Sequence, residues 1–424
     1  MNLTQVNEYF FSCPAGVPYG RTEAQPAFEL VGSASSKVQY IGVAGTTGKT
    51  GVTQMIAGIL KEAGFSCGAY TVGVLPLQQR IQINGKAVAA KRLGSITTKM
   101  EKLAEKPART IAELAAACDC FEKEGCKFAV VELSDAMLAE FFAEMPVCAV
   151  TQIGDDGSGF SLERLAHSAA AMMRKDCTVV TTPAQEKKAI SELVVCAAKV
   201  ECELKVPEME DLELGGGRRL LRTIDYGGYT FLLPHIGASA AENAAIAVEV
   251  ALALWRKGYD IPDEAILEGL PQISGECGVH FLRQRPKIVA APCHKPVQAV
   301  MVAKMLRASK VDHISVVAGL SDCMNPEAFF TALETGFIPE EDQDEKTKMA
   351  GMSDNPIDKV YLVTPDDEDA VPAEEAEAEA RFHFDTEICE TLADAMEKAK
   401  ADNAEVLLVL GGESICRAAG KLMK

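Results

Sequence analysis

The sequence predicts an α/β protein in which a central parallel-sheet domain is followed by a Rossmann-like α/β domain. Three features predict it. An apolar run at Val38–Val43 ends in a glycine turn and a Lys-Thr pair. Apolar strands then alternate with amphipathic helices. A composition change near Pro271–Gly278 precedes a second such series. Strands alternating with helices imply a mainly parallel sheet covered on both faces.

Residues 1–36 carry Pro14, Pro18, Pro26 and a serine-rich stretch from Ser33 to Ser36, and read as an irregular N-terminal arm. The central domain is expected over 37–272. Val38–Val43 is its first strand. Val52, Met55, Ile56, Ile59 and Leu60 recur at helical spacing, which predicts a helix over Gly51–Ala63 ending at Gly64. Gly68–Val74 is the next strand. Helices are expected at Thr110–Gly125 and Leu162–Met173, with strands at Phe128–Leu133, Val147–Ile153 and Thr178–Thr181. Leu220–Leu233 reads as a hairpin turning at Tyr226–Tyr229, and Ala240–Lys257 as a long Ala-rich helix.

The C-terminal domain is expected over 273–424. Its strands are Lys287–Ala291, Ile314–Ala318, Val360–Val363 and Val406–Leu410, and its helices Val297–Leu306 and Leu392–Ala401. A polar and acidic insertion spans about 339–380. The Pro365–Ala380 stretch reads as a solvated, flexible acidic loop, with an interaction tail as the alternative.

At 424 residues the chain can bury sizeable cores, and 48% hydrophobic residues argue against general disorder. A net charge of −19 disfavours nucleic-acid binding by bulk electrostatics. No apolar run is long enough to span a bilayer, and MNLTQVNEYF shows no basic segment before an apolar core. A cytoplasmic protein is expected. Its fourteen cysteines include no C-x-x-C pair and read as reduced, mostly buried thiols.

Gly45-Thr46-Thr47-Gly48-Lys49-Thr50 carries the chemistry. A glycine turn opening a helix directs backbone N–H groups at an anion, and the helix N-terminus adds positive potential. Lys49 would reach the β/γ-phosphates and the Thr50 hydroxyl would bind Mg²⁺. The general P-loop has a further glycine where Val43 stands. The G-T-x-G-K-[ST] spacing instead resembles that of the Mur ligase superfamily, which includes the peptidoglycan Mur ligases and folylpolyglutamate synthase.

That resemblance implies further site residues. Gly94–Thr98 resembles the family's T-T-P region. Phe128–Asp135 resembles its E-x-S-S segment, whose glutamate holds Mg²⁺; here it is Glu132. Val150–Gly157 aligns with T-N-x-x-x-D-H. Asp156 matches the aspartate as a metal ligand, but Gln152 and Gly157 replace the asparagine and histidine. Ala169 stands where the family's carbamylated lysine is expected. Asn243 matches an asparagine near the adenine. In the second domain, Ala291–Pro296 resembles D-Y-A-H-N-P and keeps His294 as a catalytic-site candidate, while Gly275–Gly278 lacks the arginine of G-R-x-E. Nothing before Val38 matches the UDP-binding domain of the UDP-sugar ligases. Asp135, Asp155 and His167 are candidate substitutes for the lost groups, with ordinary surface roles as the alternative.

These residues leave three functions open. The first is an ATP- and Mg²⁺-dependent ligase joining small-molecule carboxylate and amine substrates through an acyl phosphate. The second is a catalytically degenerate nucleotide-binding protein acting through a protein partner. The third, an unrelated P-loop ATPase or kinase, fits the second-domain matches least. No nucleic acid or membrane is expected among the partners.

Overall fold

The strand Gln39–Ala44 is buried along its whole length and has parallel neighbours on both sides, Phe128–Glu132 and Val147–Val150. A computed structural model describes residues 1–14, 21–31, 37–72, 76–154, 160–218, 221–234, 240–270, 280–284, 286–293, 296–308, 311–321, 325–338, 355–366 and 370–423. It divides into two units, the first built mainly from Met1–Gly215 and Ser239–Ser274 and the second mainly from Gly275–Lys424.

In the first unit an eight-stranded sheet runs in the order Lys86–Ala87, Ile81–Ile83, Cys67–Tyr70, Phe128–Glu132, Gln39–Ala44, Val147–Val150, Thr178–Thr181, Glu203–Lys205. It is parallel from Cys67–Tyr70 onward and antiparallel at the Lys86 edge. From the central strand the chain first moves to one side, to Cys67–Tyr70, and later to the other, to Val147–Val150. The C-terminal end of Gln39–Ala44 is thus a topological switch point, where open α/β sheets leave a crevice. The helix Lys49–Glu62 leaves from that crevice and packs on Asp263–Gly269 and Ala240–Arg256.

The irregular arm expected over 1–36 is corrected by the structure. Leu3–Phe11 is a helix with an Asn2–Gln5 capping box, and Arg21–Val31 is a second helix with Pro26 inside it. Val6, Tyr9, Phe10, Ala24, Ala27 and Phe28 enter the core of the first unit, and Phe28 stacks on Phe141 at 4.3 Å. The prolines masked helical apolar spacing that was already present. Leu221–Tyr226 and Tyr229–Pro234 are adjacent strands, as expected, with Gly227 and Gly228 at positive φ between them. Leu212–Arg218 adds a third strand.

The second unit holds a six-stranded sheet in the order His280–Gln284, Lys287–Pro292, Val406–Gly411, Ile314–Gly319, Ile357–Leu362, Thr386–Ile388. It is parallel except at the His280 edge. Apolar side chains cover both faces, with Ala303, Leu306, Phe330 and Leu333 in one layer and Met396, Ala399, Ile415 and Ala419 in the other. The flexible loop expected at Pro365–Ala380 is in part a helix. Ala373–Ala380 buries Ala373, Ala376 and Ala380 at i, i+3 and i+7, while Glu374 and Glu375 face solvent. Alanine's small side chain gives only a weak hydrophobic stripe, so the acids dominated the reading. Residues 339–354 lie outside the described residues. Among the described residues no helix is long and apolar enough to cross a membrane.

One buried ion pair fastens the first unit's helices to its sheet edge. The Arg80 Nη1 and Nη2 donate to the Glu113 carboxylate at 2.8 and 2.6 Å, Tyr70 Oη donates to the same carboxylate at 3.2 Å, and both charged side chains are buried. Removing one partner leaves a buried charge unpaired. We expect Glu113→Ala to cost about 3–5 kcal/mol in denaturant unfolding, and Arg80→Met with Glu113→Leu together to cost much less.

Candidate nucleotide-binding site

Gly45 and Gly48 shape the loop after the central strand. Both have positive φ, 131° and 86°. A Cβ on Gly45 would meet the Thr151 Oγ1 at 2.3 Å, and one on Gly48 would meet the Asn243 Oδ1 at 2.6 Å. The loop therefore lies tight against the end of the Val147–Val150 strand and beneath the first turn of Ala240–Arg256. Glycine alone combines that backbone with that approach. Asn243, expected at the nucleotide from its motif, is brought directly onto Gly48 and is buried.

Residues beyond the motif brace the loop. The Thr46 and Thr47 N–H groups donate to the Gln152 carbonyl at 2.9 and 3.2 Å. The Thr46 Oγ1 donates to the Gly154 carbonyl at 3.1 Å. The Gln185 Nε2 donates to the Thr151 carbonyl at 2.9 Å while its Oε1 accepts from the Ile153 N–H at 3.0 Å. Gln152 thus contributes through its backbone, whatever its side chain. Gly48 caps the helix, so the N–H groups of Lys49, Thr50 and Gly51 have no place in the helical ladder. They form an anion-binding helix N-terminus. The Lys49 Nζ folds back onto the Gly45 and Thr46 carbonyls at 3.0 and 3.3 Å, over the loop it would serve.

Glu132 ends the strand beside the central one and pairs in register with Val43. Its Oε2 accepts from the Thr50 hydroxyl at 2.8 Å and from the Val72 N–H at 3.1 Å. Burial pushes this carboxyl above its ordinary range, while the Lys49 charge and the Thr50 and Val72 donors pull it down. A hydroxyl and a buried carboxylate meeting at a phosphate loop form a hard-oxygen donor set, which suits Mg²⁺. The chemistry of the donors fits a divalent cation there.

No family model matches the sequence. A curated relative, the probable bifunctional folylpolyglutamate synthase/dihydropteroate synthase of Haloferax volcanii, is 24% identical over 309 residues, covering 68% of this chain and 36% of that protein. The chain thus spans about a third of that relative's length. The Mycobacterium tuberculosis folylpolyglutamate synthase complexed with ADP superposes with a TM-score of 0.78 at 20% identity, covering 99% of this chain and 98% of that one. The chain has the folylpolyglutamate synthase fold. Escherichia coli FolC in complex with DHPP and ADP gives 0.76 at 16% identity over 100% and 98% of the two chains. The Yersinia pestis bifunctional folylpolyglutamate synthase/dihydrofolate synthase complexed with AMPPNP and Mn ion gives the same score, identity and coverage. The Mur-type α/β fold expected from the loop motif is therefore observed.

Within this folylpolyglutamate synthase fold, the sequence-expected residues Gly45, Thr46, Thr47, Gly48, Lys49, Thr50, Glu132 and Asn243 converge on one site. Asp156 and His294 lie outside the described residues, as do Asp155, Gly157 and residues 271–279. Asp135 and His167 do not join the loop's network. Asp135 caps the 3₁₀ turn Ala136–Phe141 by accepting from the Met137 N–H at 2.9 Å, and His167 pairs with Glu192. The Gly94–Thr98 segment is inside the helix Ala90–Met100, where the Thr97 and Thr98 hydroxyls donate to the Leu93 and Gly94 carbonyls. Thr151 lay within the aligned Val150–Gly157 segment, whereas Val72 and Gln185 escaped the sequence reading, because the folding of the sheet rather than a local motif delivers them.

Two outcomes follow from this geometry. Gly48→Ala is expected to cost about 1–3 kcal/mol in unfolding through left-handed strain and to weaken nucleotide binding by displacing Asn243. For Glu132, a raised folded-state pKa means that ionisation opposes folding. That cost is absent below the ordinary carboxylate range and is complete once pH exceeds the folded pKa. Glu132→Gln should therefore raise the Tm of the nucleotide-free protein near neutral pH, and the gap should close on acidification; Tm against pH checks this.

Proposed function

We propose that the chain is an ATP-dependent carboxylate–amine ligase of the folylpolyglutamate synthase type. One observation carries the reading: Lys49, Thr50 and Glu132 meet at the phosphate loop of a fold shared with solved folylpolyglutamate synthases. The names of its structural relatives support a pterin-bearing carboxylate with glutamate as the amine.

In this scheme a substrate carboxylate oxygen attacks the γ-phosphorus of ATP and the bond to the bridging β-oxygen breaks, releasing ADP. The amine nitrogen then attacks the acyl carbon, inorganic phosphate leaves, and the nitrogen gives up a proton. Little of this needs covalent help from the protein, so the residues work by position and charge. Lys49 swings from its loop carbonyls to the transferring phosphoryl group. The free N–H groups of Lys49, Thr50 and Gly51 hold the phosphates. Thr50 and Glu132 would hold Mg²⁺, which when bound neutralises phosphate charge.

A second reading has its own support. Ala169, where the resemblance expects a carbamylated lysine, is a buried methyl at the end of the helix Leu162–Ala169 and offers no ligand. A nucleotide-binding protein without turnover would tolerate that loss. The two readings separate on ADP release, measured with a pteroyl carboxylate and with other acids, each with and without glutamate. The ligase reading expects amine-dependent ADP release that falls at least about 100-fold in Lys49→Ala. Nucleotide binding with no amine-dependent release across the panel would contradict it and favour the second reading.

A further inference from the structure

Three metal-ligating side chains of different chemistry meet on the first unit, outside the phosphate loop's network. His167 projects from the helix Leu162–Ala169. Glu192 and Cys196 stand one turn apart on the helix Lys187–Val200, and so share a face. The two helices pack together. The His167 Nδ1 lies 2.9 Å from the Glu192 Oε1, the Cys196 Sγ lies 3.5 Å from that Nδ1, and the same Sγ lies 3.4 Å from the Glu192 Oε1. These atoms form one compact triangle.

The triangle has the size of one face of a tetrahedral zinc site. Bonds of about 2.0–2.1 Å to nitrogen and oxygen and about 2.3 Å to sulfur put ligand atoms about 3.3–3.6 Å apart at tetrahedral angles. Both edges to sulfur already match. The third is at hydrogen-bond length and needs to open by only a few tenths of an ångström when a cation replaces the shared proton. We propose that His167, Glu192 and Cys196 form a site for a Zn²⁺-class ion that clamps the two helices together.

The donor set selects the ion. A thiolate and an imidazole favour Zn²⁺ or its borderline neighbours over Mg²⁺ or Ca²⁺. A thiolate, a carboxylate and a neutral imidazole carry two negative charges, which a divalent ion neutralises. Binding exchanges protons for the cation: the imidazole takes its neutral form with the proton on Nε2, any excess proton and the Cys196 thiol proton pass to solvent, and the cation takes the freed Nδ1 lone pair, the carboxylate and the sulfur. No oxidation state changes. Cys196 is 8% exposed and anchors the site from beneath, whereas the His167 side chain is 66% exposed. That leaves the fourth position open to water, as in zinc sites that exchange a ligand. A hydrogen-bonded trio without a metal is the competing account, since hydrogen bonds to sulfur fall at the same 3.4–3.5 Å, and metal titration separates the two.

The test is a Co²⁺ titration of tag-free, fully reduced protein. The site predicts a thiolate-to-cobalt charge-transfer band that saturates at one Co²⁺ per chain, and loss of that band on adding Zn²⁺. His167→Ala, at an exposed position, should keep the metal-free Tm and weaken Co²⁺ binding at least about tenfold. Cys196→Ser should abolish the band. Zn²⁺ should also raise the wild-type Tm by preferential binding to the folded state. A wild type with no charge-transfer band, a band retained in Cys196→Ser, or an unchanged Co²⁺ affinity in His167→Ala would overturn the proposal. None of the three residues joins the phosphate loop's hydrogen bonds among the described residues, so the outcome does not bear on the ligase reading.

Discussion

A carboxylate taken out of water organises the first unit. Glu132 stands at the end of a buried strand, where an unpartnered charge would be costly. Its position is tolerable because the Thr50 hydroxyl and the Val72 N–H both donate to it, and Lys49 supplies a positive charge. Those partners come from two places: the first turn of the helix Lys49–Glu62, and the segment following the strand Cys67–Tyr70. The carboxylate therefore fixes the helix against the sheet before any ligand arrives. Its residual desolvation cost is what a divalent cation would relieve.

The loop's shape follows from the same crowding. The central strand is flanked in parallel on both sides, so its C-terminal end opens into a narrow crevice. Gly45 fits against Thr151 and Gly48 against Asn243, and the Gln152 carbonyl takes two loop N–H groups. Anion binding then falls to the helix N-terminus and to Lys49. The bracing residues make the loop rigid, which suits a reaction that depends on placing phosphates and neutralising them.

Much of this arrangement was readable from residue order. The strand–loop–helix at Val38–Thr50 announces itself because glycine spacing, apolar periodicity and Lys-Thr agree. Glu132 was readable because an acid closing an apolar strand needs a reason. Asn243 needed a family motif, since nothing local marks it. What stayed hidden is what sheet order brings together: the Val72 N–H, the Gln152 carbonyl and the Gln185 amide carry no sequence signature of their own. Pro26 concealed the helix Arg21–Val31, and alanines concealed the helical stripe of Ala373–Ala380. The zinc-sized triangle was invisible because His167 and Glu192 meet only across packed helices.

The central claim is that Thr50 and Glu132 hold the cation of a metal–nucleotide complex at the loop. Calorimetric titration of ATP into the wild type and Thr50→Val, with and without Mg²⁺, tests it most directly. The account predicts one site per chain whose affinity rises with Mg²⁺ in the wild type, and loss of that Mg²⁺ dependence in Thr50→Val. Equal ATP affinity with and without Mg²⁺ in the wild type, or an unchanged Mg²⁺ effect in Thr50→Val, would contradict it.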